Sequence, residues 1–461
     1  MTMSNIRGMR GFLASSIGVT CAAALMLPLT PSAVAANTRP APTAEAATTA
    51  GDRPAPGHTE SLPLEPLNRT RATPAAPEQG LPPKDVRRFS LIGVVWDNPD
   101  TELHGRVQVR TRATATGAWS DWQDVETHNA DHAADPYTAE RASGRVRGAT
   151  APLWVGDSDG VEVRVKAEPS ETAALPTLPT GLRLELVDPG EEAPQPRPVT
   201  SRADAPANNL TADTAAASAV NAELAPLGAL EIPALTAEQT RSELLTVGGA
   251  DLTAEQQARP YIGPRPRIVT RRGWGANESW RERKFVYTKK VKAAFVHHTA
   301  SGNGYTCSQA PSVIRGIYRY HVMSMGWRDI GYNFVVDKCG NLYEGRAGGV
   351  AKPVLGAHTL GFNTHSMGIA LLGSHATSKP SAAAVKAVAR LTAWKLGLFG
   401  ANPRGKTYLK SGGSNLYAKG RNVRLNVISG HRDGYATECP GWQMYRKLGS
   451  TRSKAAELQG R

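Results

Sequence analysis

Beyond its first 35 residues the chain has no apolar run long enough to cross a bilayer, which excludes a protein with many membrane spans. It has no internal repeat, which excludes a solenoid or bladed array. Cysteine is scarce: four in 461 residues, at Cys21, Cys307, Cys339 and Cys439. Acidic residues are scarce in one region. From Arg265 to the end there are 8 Asp and Glu against 32 Lys and Arg, a net of +24 in a chain whose formal total is +14. The preceding 264 residues are therefore acidic overall, at −10. Such asymmetry implies a polyanionic partner for the C-terminal part, with solubility alone as the alternative.

The start reads as an export signal spanning 1–35. Arg7 and Arg10 form a positive flank, Phe12 to Leu29 is uncharged and largely apolar, and Ala33-Val34-Ala35 is a small-x-small cleavage site. A membrane anchor is the alternative, but the stretch is short and Ser15, Ser16 and Thr20 interrupt it. No stable membrane insertion is expected after cleavage. Export leaves three cysteines, an odd count that asks for a reason. The reading is one disulfide, Cys307 to Cys339, with Cys439 as a metal ligand; for each the alternative is a buried apolar thiol. Export also argues against nucleic acid, the usual partner of a basic region, and for anionic cell-wall polymers.

Composition divides the rest. Residues 36–84 are rich in Pro, Ala and Thr and read as a disordered spacer. Residues 85–190 carry short runs of strand character: Phe89 to Trp96, the alternating Val107-Gln108-Val109-Arg110, Val161 to Val165 and Leu182 to Leu186. They predict a β-sandwich accessory domain, with Trp119, Trp122 and Trp154 as core or as a sugar-stacking face. Residues 191–264 read as a second linker with short helical turns at most. Residues 265–450 have the texture of a compact α/β domain, and 451–461 form a basic tail. In the α/β domain Ala293 to Val296 is a buried strand running into His297. Ser312 to Met323 and Ala382 to Leu398 have helical spacing, and Asn426 to Ser429 is a last strand running into Gly430-His431.

Three segments carry the chemistry: Phe295-Val296-His297-His298-Thr299, Gly331-Tyr332-Asn333-Phe334, and Gly430-His431-Arg432-Asp433 with Thr437-Glu438-Cys439-Pro440. A zinc hydrolase needs three protein ligands and an open position, and nitrogen and sulfur donors suit that metal. These segments, in this order, resemble the peptidoglycan recognition proteins and the related phage-type N-acetylmuramoyl-L-alanine amidases. The resemblance extends from Arg265 to Leu448 and includes Arg271-Arg272-Gly273-Trp274-Gly275, Tyr343-Glu344-Gly345-Arg346, Gly356-Ala357-His358-Thr359 and Gly361-Phe362-Asn363-Thr364. It implies a multidomain chain whose C-terminal part, 265–450, is a zinc amidase domain with a mixed central sheet flanked by helices.

The resemblance also implies roles. His297, His431 and Cys439 match the zinc ligands. Tyr332 matches the catalytic tyrosine, and Thr437 stands where the family has an assisting threonine or lysine. His321 and His358 match groove positions, where substrate contact and a structural role are both open, and Asn363 is expected to bind substrate. The Gly326-Trp327 pair and Arg346 match residues that accompany diaminopimelate stems, because a guanidinium can grip the extra carboxylate with two hydrogen bonds; the alternative is that Trp327 is core and Arg346 a structural ion pair. The implied partner is peptidoglycan, the cofactor Zn2+, and the reaction hydrolysis of the amide between N-acetylmuramic acid and L-alanine by a secreted or wall-bound enzyme. No glutamate clearly matches a general base. A non-catalytic peptidoglycan-binding protein and a peptidase acting within the stem are the competing readings.

Overall fold

The computed structural model of the chain describes residues 57–67, 77–169, 176–190, 210–247 and 253–461. The expected signal peptide lies outside them. No helix among the described residues is long and apolar enough to cross a membrane.

The N-terminal domain is built from β1 (His58–Pro63), β2 (Glu65–Pro66), β3 (Glu78–Trp96), β4 (Gly105–Ala113), β5 (Gln123–Val125), β6 (Gly148–Ala149), β7 (Leu153–Ala167) and β8 (Arg183–Asp188). They pair antiparallel in the order β1-β8-β3-β7-β4-β5, with β2 and β6 added on β3. In β4 the alternation places Val107, Val109 and Thr111 inside, as a half-buried strand requires. The long strands β3 and β7 lose register at three places, and such irregularities bend a strand. The core between them takes Phe89, Ile92, Val94, Val163, Leu184 and Leu186.

This domain begins earlier than 85. β1, β2 and the first residues of β3 fall inside the expected spacer 36–84, so that expectation is corrected at its C-terminal end. The signal was weak because β1 is an edge strand made by its pairing with β8, from His58↔Asp188 to Pro63↔Arg183, rather than by its own apolar content.

The C-terminal domain contains α1 (Ala212–Ala219), β9 (Glu231–Ile232), α2 (Ala237–Val247), α3 (Ala254–Ala258), β10 (Ile268–Val269), β11 (Ala293–His298), α4 (Ala310–Arg319), β12 (Phe334–Val336), β13 (Leu342–Glu344), β14 (Ser366–Leu371), α5 (Ala382–Gly397), β15 (Lys406–Lys410), β16 (Asn422–Asn426), β17 (Ile428–Gly430), α6 (Trp442–Tyr445) and α7 (Leu448–Gln459). Its mixed sheet has the order β17-β11-β14-β12-β13-β10-β9. β17, β11, β14 and β12 run parallel, while β12 pairs antiparallel with β13 and β9 with β10. Strand alternation splits β14 between two cores: Ile369 faces α5 and α7, and Ala370 faces α4.

Two further boundaries move. The expected linker 191–264 contains α1, capped by the Thr211 side chain on Thr214 N, and β9, which extends the C-terminal sheet. The expected basic tail 451–461 is mostly α7; Thr451, Ala455 and Ala456 are buried, Ala455 in the core shared with α5, and Gln459 Nε2 donates to Ala393 O at 2.9 Å. Alanine and threonine spacing gives little apolar periodicity, which hides such a helix. The disulfide Cys307–Cys339 ties the segment before α4 to the β12–β13 turn across a Cα–Cα distance of 6.2 Å. Closing a loop of this length stabilises the fold by about 3–4 kcal/mol.

The two domains share one apolar core. Val313, Ile314, Ile317 and Tyr320 of the α4 region pack with Leu91, Val95, Trp154 and Val187 of the N-terminal sheet. Trp154 is thus core, while Trp119 and Trp122 both lie against Arg110, so the three tryptophans do not share one face. The N-terminal domain is docked on the C-terminal domain through this core.

Candidate metal centre

β11 and β17 are neighbours, with Val296 in register with Gly430. One residue further each strand presents a histidine, and His297 Nδ1 lies 3.1 Å from His431 Nδ1. In sheets with parallel strands, ligands collect outside the carboxyl ends. β11 is buried along its whole length, which fixes His297 against drift. After His431 the chain makes a tight turn. Asp433 Oδ2 accepts from Gly430 N at 2.9 Å, and Tyr445 holds the other carboxylate oxygen at 2.6 Å. The loop returns so that Arg432 N donates to Cys439 O at 3.0 Å, placing Cys439 Sγ 3.7 Å from His297 Nδ1.

These donors fit a tetrahedral divalent metal. Bonds of about 2.0 Å to nitrogen and about 2.3 Å to sulfur put the N–N edge at about 3.3 Å and the N–S edge at about 3.5 Å. The protonation states also fit. Burial, with His431, His132 and His358 nearby, takes the His297 imidazole well below its ordinary range, and burial pushes His431 down to about 3. Both rings therefore stay neutral, as ligands must. Burial, then Asp131, pushes the Cys439 thiol up, so a cation in the pocket is what would ionise it.

The other expected residues are distributed unevenly. Tyr332 is buried beside the cluster, its ring 5.7 Å from that of His297. Thr437 is half-buried on the rim of a cavity of about 500 Å3 and accepts from Cys439 N at 3.2 Å. His321 stacks on Trp327 at 4.5 Å and accepts from Gly331 N at 3.2 Å. Trp327 is 4% exposed, and Gly326, at φ +74°, has no room for a side chain because the Arg145 carbonyl closes on it.

His358, for which substrate contact and a structural role were both open, is fully buried behind His297, with Nδ1 3.3 Å from His297 Nε2 and 3.0 Å from Thr359 Oγ1. Gly356 and Gly368 form the slot for its ring, which a Cβ at either position would invade. Its ring packs against that of His297, with centroids 5.2 Å apart. His298 Nδ1 accepts from His375 N at 3.1 Å and stands outside the donor cluster.

The N-terminal domain contributes what the sequence reading missed. Between β5 and β6 runs a long loop, 126–147, from which Asp131, His132, Asp135 and Glu140 are all buried. His132 joins His297, His431 and Cys439 in a group whose ligand atoms lie within 4.8 Å of one another. Its Nε2 is 3.7 Å from Cys439 Sγ, and its Nδ1 is 3.0 Å from Asp131 Oδ1. Carboxylate–histidine pairs of this kind orient metal ligands. Asp131 is held well below the usual carboxylate range: burial opposes its charge, and His132, His431 and Thr437 outweigh that. Arg346, expected to hold substrate, is held by Glu140 through two hydrogen bonds of 2.8 and 2.9 Å. Asn363 Nδ2 donates to Asp135 Oδ1 at 2.7 Å and to Ala133 O at 2.8 Å. The usable signal was the length of a strand-free stretch carrying Asp131-His132, because loops beyond about 12–15 residues are usually functional.

Comparison with known proteins gives a consistent picture. Residues 42–200 match the family described as the Rv3811 N-terminal galactose-binding domain-like family. Residues 287–442 match the N-acetylmuramoyl-L-alanine amidase family. The chain is 30% identical over 181 residues to peptidoglycan-recognition protein SC2 of Drosophila simulans, covering 39% of this chain and 84% of that one. It is 35% identical over 125 residues to N-acetylmuramoyl-L-alanine amidase of Homo sapiens, covering 27% of this chain and 21% of that protein. Among solved structures, wild-type PGRP-LB of Drosophila shares 26% identity, with 40% of this chain and 92% of that chain covered and a TM-score of 0.31.

Proposed function

Because this chain belongs to the family of peptidoglycan-recognition proteins, we propose that it is a secreted, zinc-dependent amidase cutting between N-acetylmuramic acid and the L-alanine of a peptidoglycan stem. The observation that carries the reading is the donor set His297, His431 and Cys439, spaced by 3.1 and 3.7 Å at the carboxyl ends of two adjacent parallel strands. The amidase family match spans all three residues. Secretion rests on the N-terminal signal.

Zinc held there would supply a Lewis acid for the scissile carbonyl and lower the pKa of water at its open position. The chain's own groups do the rest. Burial, with Cys439 and Asp131 close by, pushes the Tyr332 phenol up. It therefore stays protonated and donates to the oxyanion as charge develops on the lactyl carbonyl. Thr437 holds the Cys439 backbone and offers its hydroxyl at the cavity rim, where it can position water. Arg346 already takes a carboxylate in the two-bond geometry that the free carboxylate of a diaminopimelate stem would use. With the Trp327–His321 stack as a wall, this supports preference for diaminopimelate over lysine stems.

One observation favours the competing reading, a non-catalytic peptidoglycan-binding protein. With His132, four protein donors surround the metal position, and closed four-ligand sites are typical of structural zinc. Digestion of purified cell wall, with and without a chelator, separates the readings by mass spectrometry. An amidase frees stems with an L-alanine amino terminus, and the chelator stops it. A peptidase cuts inside the stem. Release of nothing under any metal loading would refute the amidase reading.

A further inference from the structure

The loop 126–147 is unusual for a loop. Connections normally run over the surface, since buried polar groups there have no ladder to satisfy them. Here Asp131, His132, Asp135 and Glu140 are all between 3% and 7% exposed. Each one ends on the candidate site of the other domain. His132 stands at the donor cluster. Asp135 Oδ1 accepts from Gly361 N at 2.8 Å and from Asn363 Nδ2 at 2.7 Å. Glu140 binds Arg346 and also accepts from Arg328 N at 3.2 Å. The backbone joins in: Leu360 N donates to Asp131 O at 2.9 Å, and Arg147 N donates to Met325 O at 3.0 Å.

This pattern is that of an acidic peptide lying in a groove. Main-chain contacts near both ends, one carboxylate on an amide pair and one carboxylate on a guanidinium are spaced along the loop, with a donor at the metal position. A peptidoglycan stem offers the same chemistry: an amide backbone with carboxylates spaced along it. Arg346 and Asn363, both matched to substrate binding, are the two residues the loop carboxylates occupy.

Resting on the function proposed above, we propose that residues 126–147 are a built-in occupant of the substrate groove. His132 closes the fourth position of the metal centre, Glu140 fills the carboxylate seat on Arg346, and Asp135 fills the amide seat at Gly361 and Asn363. The chain as described is the latent form. Substrate enters only when the loop leaves. A binding-competent fraction of about 1–10% would weaken apparent affinity for a stem by about 100- to 10-fold.

The test uses the full mature chain loaded with cobalt(II), whose visible spectrum reports coordination without turnover. Two probes are added: azide, which reads only the metal position, and the free tripeptide L-alanyl-γ-D-glutamyl-diaminopimelate, which reads the groove. The expected result is that the unmutated chain takes up azide weakly and His132→Ala takes it up readily, with a spectral change. Glu140→Gln keeps the shape of the side chain and removes its charge. It should bind the tripeptide at least about ten-fold more tightly than the unmutated chain. Equal azide uptake by the unmutated chain and His132→Ala would overturn the plug, as would unchanged tripeptide affinity in a folded Glu140→Gln. If His132→Ala fails to fold, Glu140→Gln decides alone. If azide distinguishes the proteins but no form binds the tripeptide, the loop still closes the metal centre and the reading of the substrate is what fails.

Discussion

Arg271 and Arg346 lie in the same domain and are both buried, at 2% and 6% exposure, yet they are held in opposite ways. Arg271 takes its carboxylates from its own domain, although its Nη2 has no hydrogen-bond partner among the described residues. Its Nε donates to Glu278 at 2.7 Å, its Nη1 to Asp329 at 3.1 Å, and its guanidinium stacks near Trp274 and Tyr318. Arg346 takes its carboxylate from Glu140, 206 positions earlier and in the other domain. The donor cluster repeats the contrast: three members come from the C-terminal domain and the fourth, His132, from the same foreign loop. A cluster that its own domain completes is scaffold. A cluster that its own domain leaves incomplete is a place for a ligand, and here another part of the chain stands in for one.

The sharpest way to break this contrast is to damage each cluster and ask what is lost. Cys439→Ser replaces a soft donor with a hydroxyl. It should take zinc content from one per chain to near none and remove measurable turnover, while circular dichroism stays that of the folded chain. Metal analysis of the purified variant is the check, and full zinc occupancy would remove Cys439 from the site.

Arg271→Met is the counterpart. It leaves Glu278 and Asp329 buried with less positive charge, although Arg281 still pairs with Glu278 at 2.5 Å. Removing one partner of a buried ionic cluster costs about 3–5 kcal/mol. Denaturant titration should show that loss with zinc content unchanged. Zinc loss as complete as in Cys439→Ser would mean the two clusters are not separable.

Arg346→Ala sharpens the comparison further. It frees the groove from Glu140 and also removes the grip on a diaminopimelate carboxylate. Release of the loop acts on both stem types alike, so the ratio of kcat/KM for diaminopimelate over lysine stems isolates the grip. That ratio should fall by about 1–3 kcal/mol, the worth of a hydrogen bond to a charged group. An unmutated protein that cleaves both stems equally would remove the basis for the preference.

The same contrast explains what the sequence could reveal. β11 and α5 were legible because burial on both faces, or on one face at helical spacing, imprints the local pattern. The donors His297, His431 and Cys439 lay in short recognisable segments at the ends of such elements. By comparison, β1 and β9 exist through their partners, and α7 buries alanines that barely register as apolar. The hairpin of β15 and β16 alternates, but around mostly charged and polar residues, which gives little strand signal. For His358 the motif left substrate contact and a structural role open, because it gives neighbours along the chain and not depth behind a ring. The role of His132 was least legible of all. It depends on a contact across 307 positions, between domains whose docking no local pattern encodes.

The smallest expected effect concerns Glu344, which borders both arginines. Its Oε1 accepts from Asn221 Nδ2 at 2.9 Å and its Oε2 from Arg271 N at 3.3 Å. Burial nonetheless raises its pKa from 4.5 to about 7, the hydrogen bonds and Arg271 only partly opposing it. The folded state therefore binds this proton more tightly than the unfolded chain does. Stability from this group is fully present below about pH 4.5 and is lost as pH rises through about 7. Glu344→Gln keeps the side chain neutral throughout. The variant should gain on the unmutated protein as pH rises from 5 to 8, by about 2 kcal/mol, while the amide, which must turn a donor toward Arg271 N, lowers its stability by the same amount at both ends. Denaturant midpoints of the two proteins across pH 5–8 measure this directly. Parallel curves would mean that Glu344 is ionised in the folded chain and that the Arg271 cluster, not burial, governs it.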